Sequence, residues 1–148
     1  MNYAVLEKLV DDMDQRIEEN LESCMDDVII DDRKLKECLT DQIKLQMIWE
    51  TMYAKTKSLR DQIEAEMETI FAGVVEKEMK DTYRSTSITE AKEFAKANVD
   101  YVQLRRLFIR ASGLHHDAKS ALETVTTRKY VLNNVTNLVI ASSEHHII

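Results

Sequence analysis

The fold is decided by residues 98–134, which read NVDYVQLRRLFIRASGLHHDAKSALETVTTRKYVLNN. Arginines lie along this stretch at Arg105, Arg106 and Arg110. The stretch indicates either a helix that assembles and binds a ligand, or an ordinary core helix with solvated charges. Both interpretations rest on apolar residues that recur every three or four positions, as on one face of a long helix: Leu104, Leu107, Phe108, Ala111, Leu114, Ala118, Ala121, Leu122 and Val125.

The composition of the whole chain favours helices throughout. The 148 residues include no proline and only two glycines, so little in the sequence interrupts a helix. Charged residues make up 32%, and apolar residues fall in stripes, which is typical of long amphipathic helices and coiled coils. We expect an all-α helical bundle forming one domain over 1–148. Within it, 1–97 would form an acidic N-terminal helix and a long helix, and 98–148 a basic helix and a C-terminal oligomerisation helix.

Three features predict a cytoplasmic location. The chain has no apolar run of about 18 residues, so we expect no membrane span. Its N-terminal sequence lacks the basic and continuous apolar segments of a signal peptide. Cys24 and Cys38 lack metal-site spacing and are expected to be reduced, buried thiols.

The charge of the chain is unevenly distributed. The net charge of −7 is the sum of −7 over residues 1–40, −3 over residues 41–82 and +3 over residues 83–148. An acidic chain is a poor general binder of nucleic acid, because phosphate contacts dominate such affinity. A basic C-terminal half repeated around an oligomer offsets this disadvantage.

Capping residues and helical spacing predict the elements of the N-terminal half. Asn2 is expected to cap a first helix. The segment 26–32, DDVIIDD, is expected to form a turn with Asp31 or Asp32 capping the next helix. From about residue 33 to residue 81 nothing stops a helix, and Gly73 marks a candidate kink or close crossing.

The C-terminal half shows clearer start signals. Residues 83–87 are expected to form a loop, and Ser87 with Glu90 forms a capping box that opens a helix over 88–97. Asn98 or Asp100 is expected to cap the following helix. That helix is expected to weaken at Thr126 and Thr127, where β-branched residues cluster, before a last apolar helix.

The sequence shows no signature of an enzyme. It contains no nucleophile–base pair and no glycine-rich phosphate loop. The pairs His115–His116 and His145–His146 are adjacent residues, which chelate a metal poorly, and His115 is expected to be packed or interfacial. We therefore expect no catalytic residues, no metal site and no cofactor.

Cations beside aromatic residues are the best candidates for a binding site. Arginine clusters suit phosphates, and neighbouring aromatic rings stack on bases. Salt bridges between subunits, made to the acidic N-terminal half, explain the same residues equally well. The candidate nucleic-acid-binding residues are Lys92, Lys96, Arg105, Arg106, Arg110, Arg128, Lys129 and Tyr130. The last apolar segment needs a cover, which a second subunit provides, and the candidate oligomerisation residues are Leu132, Val135, Leu138 and Val139.

The order and spacing of several short motifs resemble the phage recombination mediators of the UvsY type. The family pattern has an Asp-x-Asp helix start, a helix of about thirty residues, an Arg-Gly-Phe-like triplet and an Ile-Lys-x-Ile-like run. Residues 98–100, 128–130 and 132–135 occupy these places. Residues 30–35 and 63–65 are similar to the family's entry into its long helix and to a helical Ile-Glu-Ala-like point.

The resemblance implies a function without an active site. It implies a ring-like homo-oligomer, a hexamer or heptamer, assembled through its C-terminal helices. It also implies a recombination and repair protein that binds single-stranded DNA and loads a recombinase onto strands coated by single-strand binding protein. If a phage encodes the protein, the expected location is the cytoplasm of the host cell.

The chain departs from the family pattern at several positions. Lys129 replaces the family's Gly, and Asn98 replaces its first Asp. The family's DNA-linked basic residues follow the Ile-Glu-Ala-like point, whereas here Glu66 and Glu68 follow it and the first base is Lys77. A DNA surface is therefore expected in the C-terminal half.

Two other functions fit the sequence. The acidic N-terminal half suits a DNA-mimicking inhibitor or adaptor that acts through protein contacts alone, for example on a nuclease. An all-helical scaffold with no nucleic-acid role is the third possibility.

Overall fold

The structure, a computed structural model, describes residues 2–27, 35–81 and 86–144. These residues form four α-helices and no strand: α1 (Tyr3–Asp27), α2 (Leu35–Lys80), α3 (Ile88–Ala97) and α4 (Val99–Glu144). The predicted all-α helical bundle is confirmed. Asp26 and Asp27, the first residues of the predicted turn over 26–32, belong to α1. Residues 28–32 of that turn, most of the predicted loop over 83–87 and the pair His145–His146 lie outside the described residues.

Buried residues of α2 and α4 follow a strict heptad pattern. They alternate in steps of three and four residues, the spacing of coiled-coil packing. Because the pattern runs from Cys38 to Ile63 in α2 and from Leu104 to Leu132 in α4, each helix buries one face over that span. In α2 the buried positions are Cys38, Gln42, Leu45, Trp49, Met52, Thr56, Leu59 and Ile63, and in α4 they are Leu104, Leu107, Ala111, Leu114, Ala118, Ala121, Val125, Arg128 and Leu132.

Side chains cap the helices where the sequence predicts. Asn2 Oδ1 accepts a hydrogen bond from the Ala4 amide at 3.2 Å. Ser87 and Glu90 form both bonds of the predicted capping box at the start of α3. Asn98 joins α3 to α4, because its backbone N–H bonds to Ala95 while its side chain accepts from the amides of the next helix.

One prediction about helix continuity is wrong. No second helix begins after Thr126–Thr127, because α4 continues to Glu144. The hydroxyls of Thr126 and Thr127 each donate to a carbonyl four residues earlier, at 2.8 Å and 3.0 Å, so these side chains fit within the helix. A Cβ added at Gly73 would meet no described atom within 4 Å, so no described segment of this chain crosses α2 closely there. A kink at Gly73 stays a prediction.

The chain folds into two compact units, each built from segments that are distant in the sequence. Unit 1 comprises Met1–Asp14 and Thr56–His115, and unit 2 comprises Gln15–Lys55 and His116–Ile148. The prediction of one domain over 1–148 stays a prediction. None of the described helices has an apolar stretch long enough to cross a membrane.

Candidate nucleic-acid interface

Five of the eight candidate DNA-binding residues lie in unit 1, on α3 and α4. Lys92 and Lys96 are one turn apart on α3, and both are exposed. Lys96 Nζ lies 3.2 Å from Glu93 Oε1 in an exposed ion pair, whereas Lys92 forms no ion pair with a described residue. Ala91 and Ala95 are fully buried. Because one face of α3 is buried at these alanines, the two lysines next to them are exposed to solvent.

Arg105 and Arg106 belong, with Arg110, to a set of arginines on α4 that we call the arginine flank. Both are exposed, while Leu104 and Leu107 on either side of them are buried. Neither arginine forms an ion pair with a described residue. Because the apolar face of α4 is buried, the two adjacent guanidinium groups are exposed to solvent, where an anion can reach them.

Arg110 continues the same flank but has acidic partners on α1. Its Nη2 donates to Asp11 Oδ1 at 2.7 Å and lies 3.8 Å from Asp14 Oδ2. The hydrogen bond with Asp11 raises the pKa of the Arg110 guanidinium, and the charges of Asp11, Asp14 and Glu7 act in the same direction. Arg110 therefore pairs with the acidic N-terminal half within its own chain. Salt bridges between subunits stay a prediction.

Arg128 lies in a different environment from the other candidates. Only 3% of the residue is exposed, and it occupies the heptad position between Val125 and Leu132. Its Nη1 donates to Gln42 Oε1 at 2.8 Å and to the Cys38 carbonyl at 3.3 Å. Both hydrogen bonds lie inside unit 2, so the Arg128 guanidinium binds groups of its own chain and is not exposed to a ligand.

Gln42 completes this buried polar group in unit 2. Its Nε2 donates to the Val125 carbonyl at 2.8 Å, so its side chain bonds to α4 through both of its polar atoms. Sequence reasoning did not single out Gln42. The available signal was its spacing, four residues after Cys38 and three before Leu45.

The two remaining DNA candidates, Lys129 and Tyr130, are both exposed in unit 2, and Tyr130 has 64% of its surface accessible. Tyr101, the aromatic neighbour of Arg105, is half-buried, and its ring centroid lies 5.8 Å from that of Phe71. The ring of Tyr130 is therefore more accessible for stacking with a base than the ring of Tyr101.

The oligomerisation candidates fall into two groups along α4. Leu132 is fully buried within unit 2 and Val135 is half-buried, whereas Leu138 and Val139 are 70% and 49% exposed. The bonds from Gln42 to Val125 and from Arg128 to Cys38 show that α2 and α4 run antiparallel in unit 2. Because α2 begins at Leu35, α4 extends past it, and all residues over 137–143 are exposed.

The described residues contain little that suggests other chemistry. No group of three or more His, Cys, Asp or Glu side chains among them is arranged to hold a metal. His115 is half-buried, and its Nδ1 lies 3.0 Å from Thr56 Oγ1, in agreement with a packed histidine. Cys24 and Cys38 are buried thiols outside any disulfide, as expected.

Comparison with known proteins links the chain to a solved fold. No protein-family model and no curated protein matches the sequence. Among solved structures, the chain is similar to the crystal structure of the bacteriophage T4 recombination mediator protein UvsY, with a TM-score of 0.66 and 17% sequence identity. The match covers 85% of this chain and 98% of that chain. The resemblance predicted from the motifs is therefore confirmed at the level of the fold.

Proposed function

We propose that this protein is a recombination mediator, which binds single-stranded DNA and helps to load a recombinase onto strands coated by single-strand binding protein. The observation that carries the proposal is the fold shared with the T4 recombination mediator over 98% of that chain. The motif spacing in residues 98–135 supports it independently of the structure.

The proposed mediator acts by binding rather than by chemistry. A ligand shifts an equilibrium only through its different affinity for the two states. A mediator that binds the recombinase filament more tightly than the coated strand therefore favours filament formation. Its protein partners are the recombinase and the single-strand binding protein, and we place its action in the cytoplasm.

The proposed DNA surface centres on Arg105 and Arg106, with Lys92 on α3, while Lys129 and Tyr130 offer a separate contact in unit 2. These residues are exposed, and the four cations form no ion pair with a described residue. We leave Arg128 out of this surface, because its guanidinium bonds to Gln42 and Cys38. The long helix α2 carries the exposed acids Glu64 and Glu68 after Ile63, which disfavours a phosphate path there.

The proposed assembly uses the end of α4. Residues 130–143 contain no charged side chain, and Leu138, Val139 and Ile140 are exposed. Exposed apolar residues of this kind commonly mark a protein contact. A ring of six or seven chains would repeat the basic flank of unit 1 around the oligomer and strengthen DNA binding.

Salt-dependent binding to a labelled single strand tests the DNA-binding part of the proposal. The wild-type oligomer should bind at low salt, and its logarithmic affinity should fall linearly with logarithmic salt. Arg105→Ala/Arg106→Ala should reduce the magnitude of that slope by about 1.4, at about 0.7 for each lost phosphate contact. The matched control is Lys55→Ala/Lys57→Ala, which removes two exposed cations of α2 and should leave the slope nearly unchanged.

The acidic face of α1 favours a second candidate function. Asp12, Glu18, Glu19 and Glu22 are exposed, and such a surface can resemble DNA to a basic partner. Affinity capture from infected cells separates the two functions. A recombinase and a single-strand binding protein retained by the wild type support the mediator, whereas a nuclease retained in their place supports an inhibitor.

A further inference from the structure

The ion pair between α1 and α4 lies at the surface of unit 1, within the arginine flank. The side chains of Arg110, Asp11 and Asp14 are 43%, 59% and 45% exposed. Solvent and dissolved anions therefore reach all three groups. Because the pair is not buried, it can open without moving the core.

Arg110 and Arg106 are neighbours on the same side of α4. They are four residues apart, which places their Cβ atoms about 6 Å from each other on a helix surface. Arg106 forms no ion pair with a described residue, while Arg110 Nη2 is held at 2.7 Å by Asp11. The two neighbouring guanidinium groups therefore differ, because a carboxylate is already bound to that of Arg110.

A carboxylate and a phosphate compete for the same guanidinium atoms. Both anions accept hydrogen bonds from two N–H groups of arginine through two of their oxygen atoms. A phosphate that follows the flank from Arg106 to Arg110 must therefore displace Asp11. The second carboxylate, Asp14, and the charge of Glu7 also oppose the approach of a phosphate.

We propose that Asp11 and Asp14 hold Arg110 in reserve and thereby limit the affinity of the protein for single-stranded DNA. This inference rests on the proposed function, since it assumes that the α4 flank binds the strand. In the resting protein α1 neutralises Arg110, and a strand gains this third arginine only when the ion pair opens. Asp11 and Asp14 are positioning residues in this scheme, because they act through Arg110.

The strength of the ion pair suits adjustment of affinity rather than a complete block. Exposed ion pairs of this kind contribute little stability, so opening the pair reduces strand affinity about fivefold at most. A mediator must release its strand to a recombinase, and a moderate affinity for the strand allows that release. Any partner that draws α1 acids away from Arg110 would tighten DNA binding by the same factor.

A four-variant comparison tests the inference on the intact protein, with an oligothymidylate strand at low salt. The variants are Asp11→Asn, Asp12→Asn, Arg110→Gln and Asp11→Asn/Arg110→Gln. Asp12 is the matched control, because it is an exposed aspartate next to Asp11 that forms no ion pair with a described residue. Thermal melting of each variant checks that α1 still folds.

Asp11→Asn should bind the strand about three- to fivefold more tightly than wild type, with a salt slope larger in magnitude by about 0.7. Asp12→Asn should change the affinity by less than about twofold, since it removes only a distant charge. Arg110→Gln should have little effect alone and should abolish the gain in the double variant. This last result separates release of Arg110 from a general loss of negative charge.

Two outcomes overturn the inference while leaving the proposed function intact. One is a wild type that binds the strand while Asp11→Asn and Asp12→Asn have equal effects. The other is a gain from Asp11→Asn that survives removal of the Arg110 guanidinium. If neither the wild type nor any variant binds the strand at low salt, the proposed function and the inference fail together.

Discussion

At the scale of single residues, the buried Arg128 shows how the core of unit 2 is specified. Gln42 and Arg128 are two of the three polar residues at the buried heptad positions, the third being Thr56, and they bond to each other at 2.8 Å between α2 and α4. A polar residue on such a seam fixes the alignment of two helices, because any shift leaves buried polar groups without partners. We therefore assign Arg128 to the alignment of α2 with α4.

Replacement of Arg128 by alanine should lower the free energy of unfolding by about 2–3 kcal/mol. The change removes a donor from Gln42 and from the Cys38 carbonyl, and it leaves a cavity. Urea unfolding followed by circular dichroism measures the effect. The adjacent, exposed Lys129→Ala is the control and should change stability by less than about 0.5 kcal/mol. Equal stability of the two variants would contradict the placement of Arg128 in the core.

The paired variant Gln42→Leu/Arg128→Met gives an independent check on the same bond. Replacing both polar partners by apolar residues removes the unsatisfied groups, so the double variant should be more stable than Arg128→Ala. If each single change and the double change have additive effects, the two side chains do not interact in solution.

At the scale of helices, the sequence predicts the elements well because their signals are local. The capping residues Asn2, Ser87 and Asn98 and the lack of proline are visible without the fold. The break expected at Thr126–Thr127 is wrong, since threonine hydroxyls bond within the helix. A pattern of apolar residues alone does not identify the polar heptad positions, although Gln42, Thr56 and Arg128 continue the same spacing.

Contacts between distant residues lie beyond such local signals. The bond between Arg110 and Asp11 joins positions 99 residues apart, so only the packing of α1 beside α4 reveals it. The overall balance of charge suggested that C-terminal arginines meet the acidic half. The balance of charge did not indicate which arginine forms the ion pair, because Arg105, Arg106 and Arg110 lie in the same stretch of sequence.

Gly73→Ala should stabilise α2 by about 0.5–1 kcal/mol, because alanine loses less backbone entropy in a helix than glycine. Gly73 has no positive φ, and an added Cβ meets no described atom within 4 Å. The melting temperature should rise by about 2–4 °C for a chain of this size. A fall in melting temperature would show that another copy of the chain approaches α2 closely at this position.

At the scale of the whole molecule, the proposed assembly rests on residues 130–143 of α4, which carry no charged side chain. Leu132 is covered within its own chain, whereas Leu138 is 70% exposed past the start of α2. The two leucines, six residues apart on one helix, therefore lie in different environments. The first belongs to the core of unit 2, and the second is available to a neighbouring chain.

Leu138→Asp should dissociate the oligomer without unfolding the chain, because a charge at the subunit contact would be desolvated and unpaired. Leu132→Asp should instead reduce the helical content. Val99→Asp is the control, since Val99 is 69% exposed and lies in unit 1. Light scattering measures the mass, and an unchanged mass for Leu138→Asp would contradict a contact at this position. Val135→Asp tests the half-buried position between the two leucines, and we expect it to dissociate the oligomer as well.

The mass of the wild-type protein, measured by light scattering with and without a single strand at low salt, tests the central claim most directly. We predict a mass of several chains alone, and a larger mass with the strand that returns to the first value at high salt. An oligomer whose mass stays the same with the strand at low salt would contradict a mediator that binds single-stranded DNA.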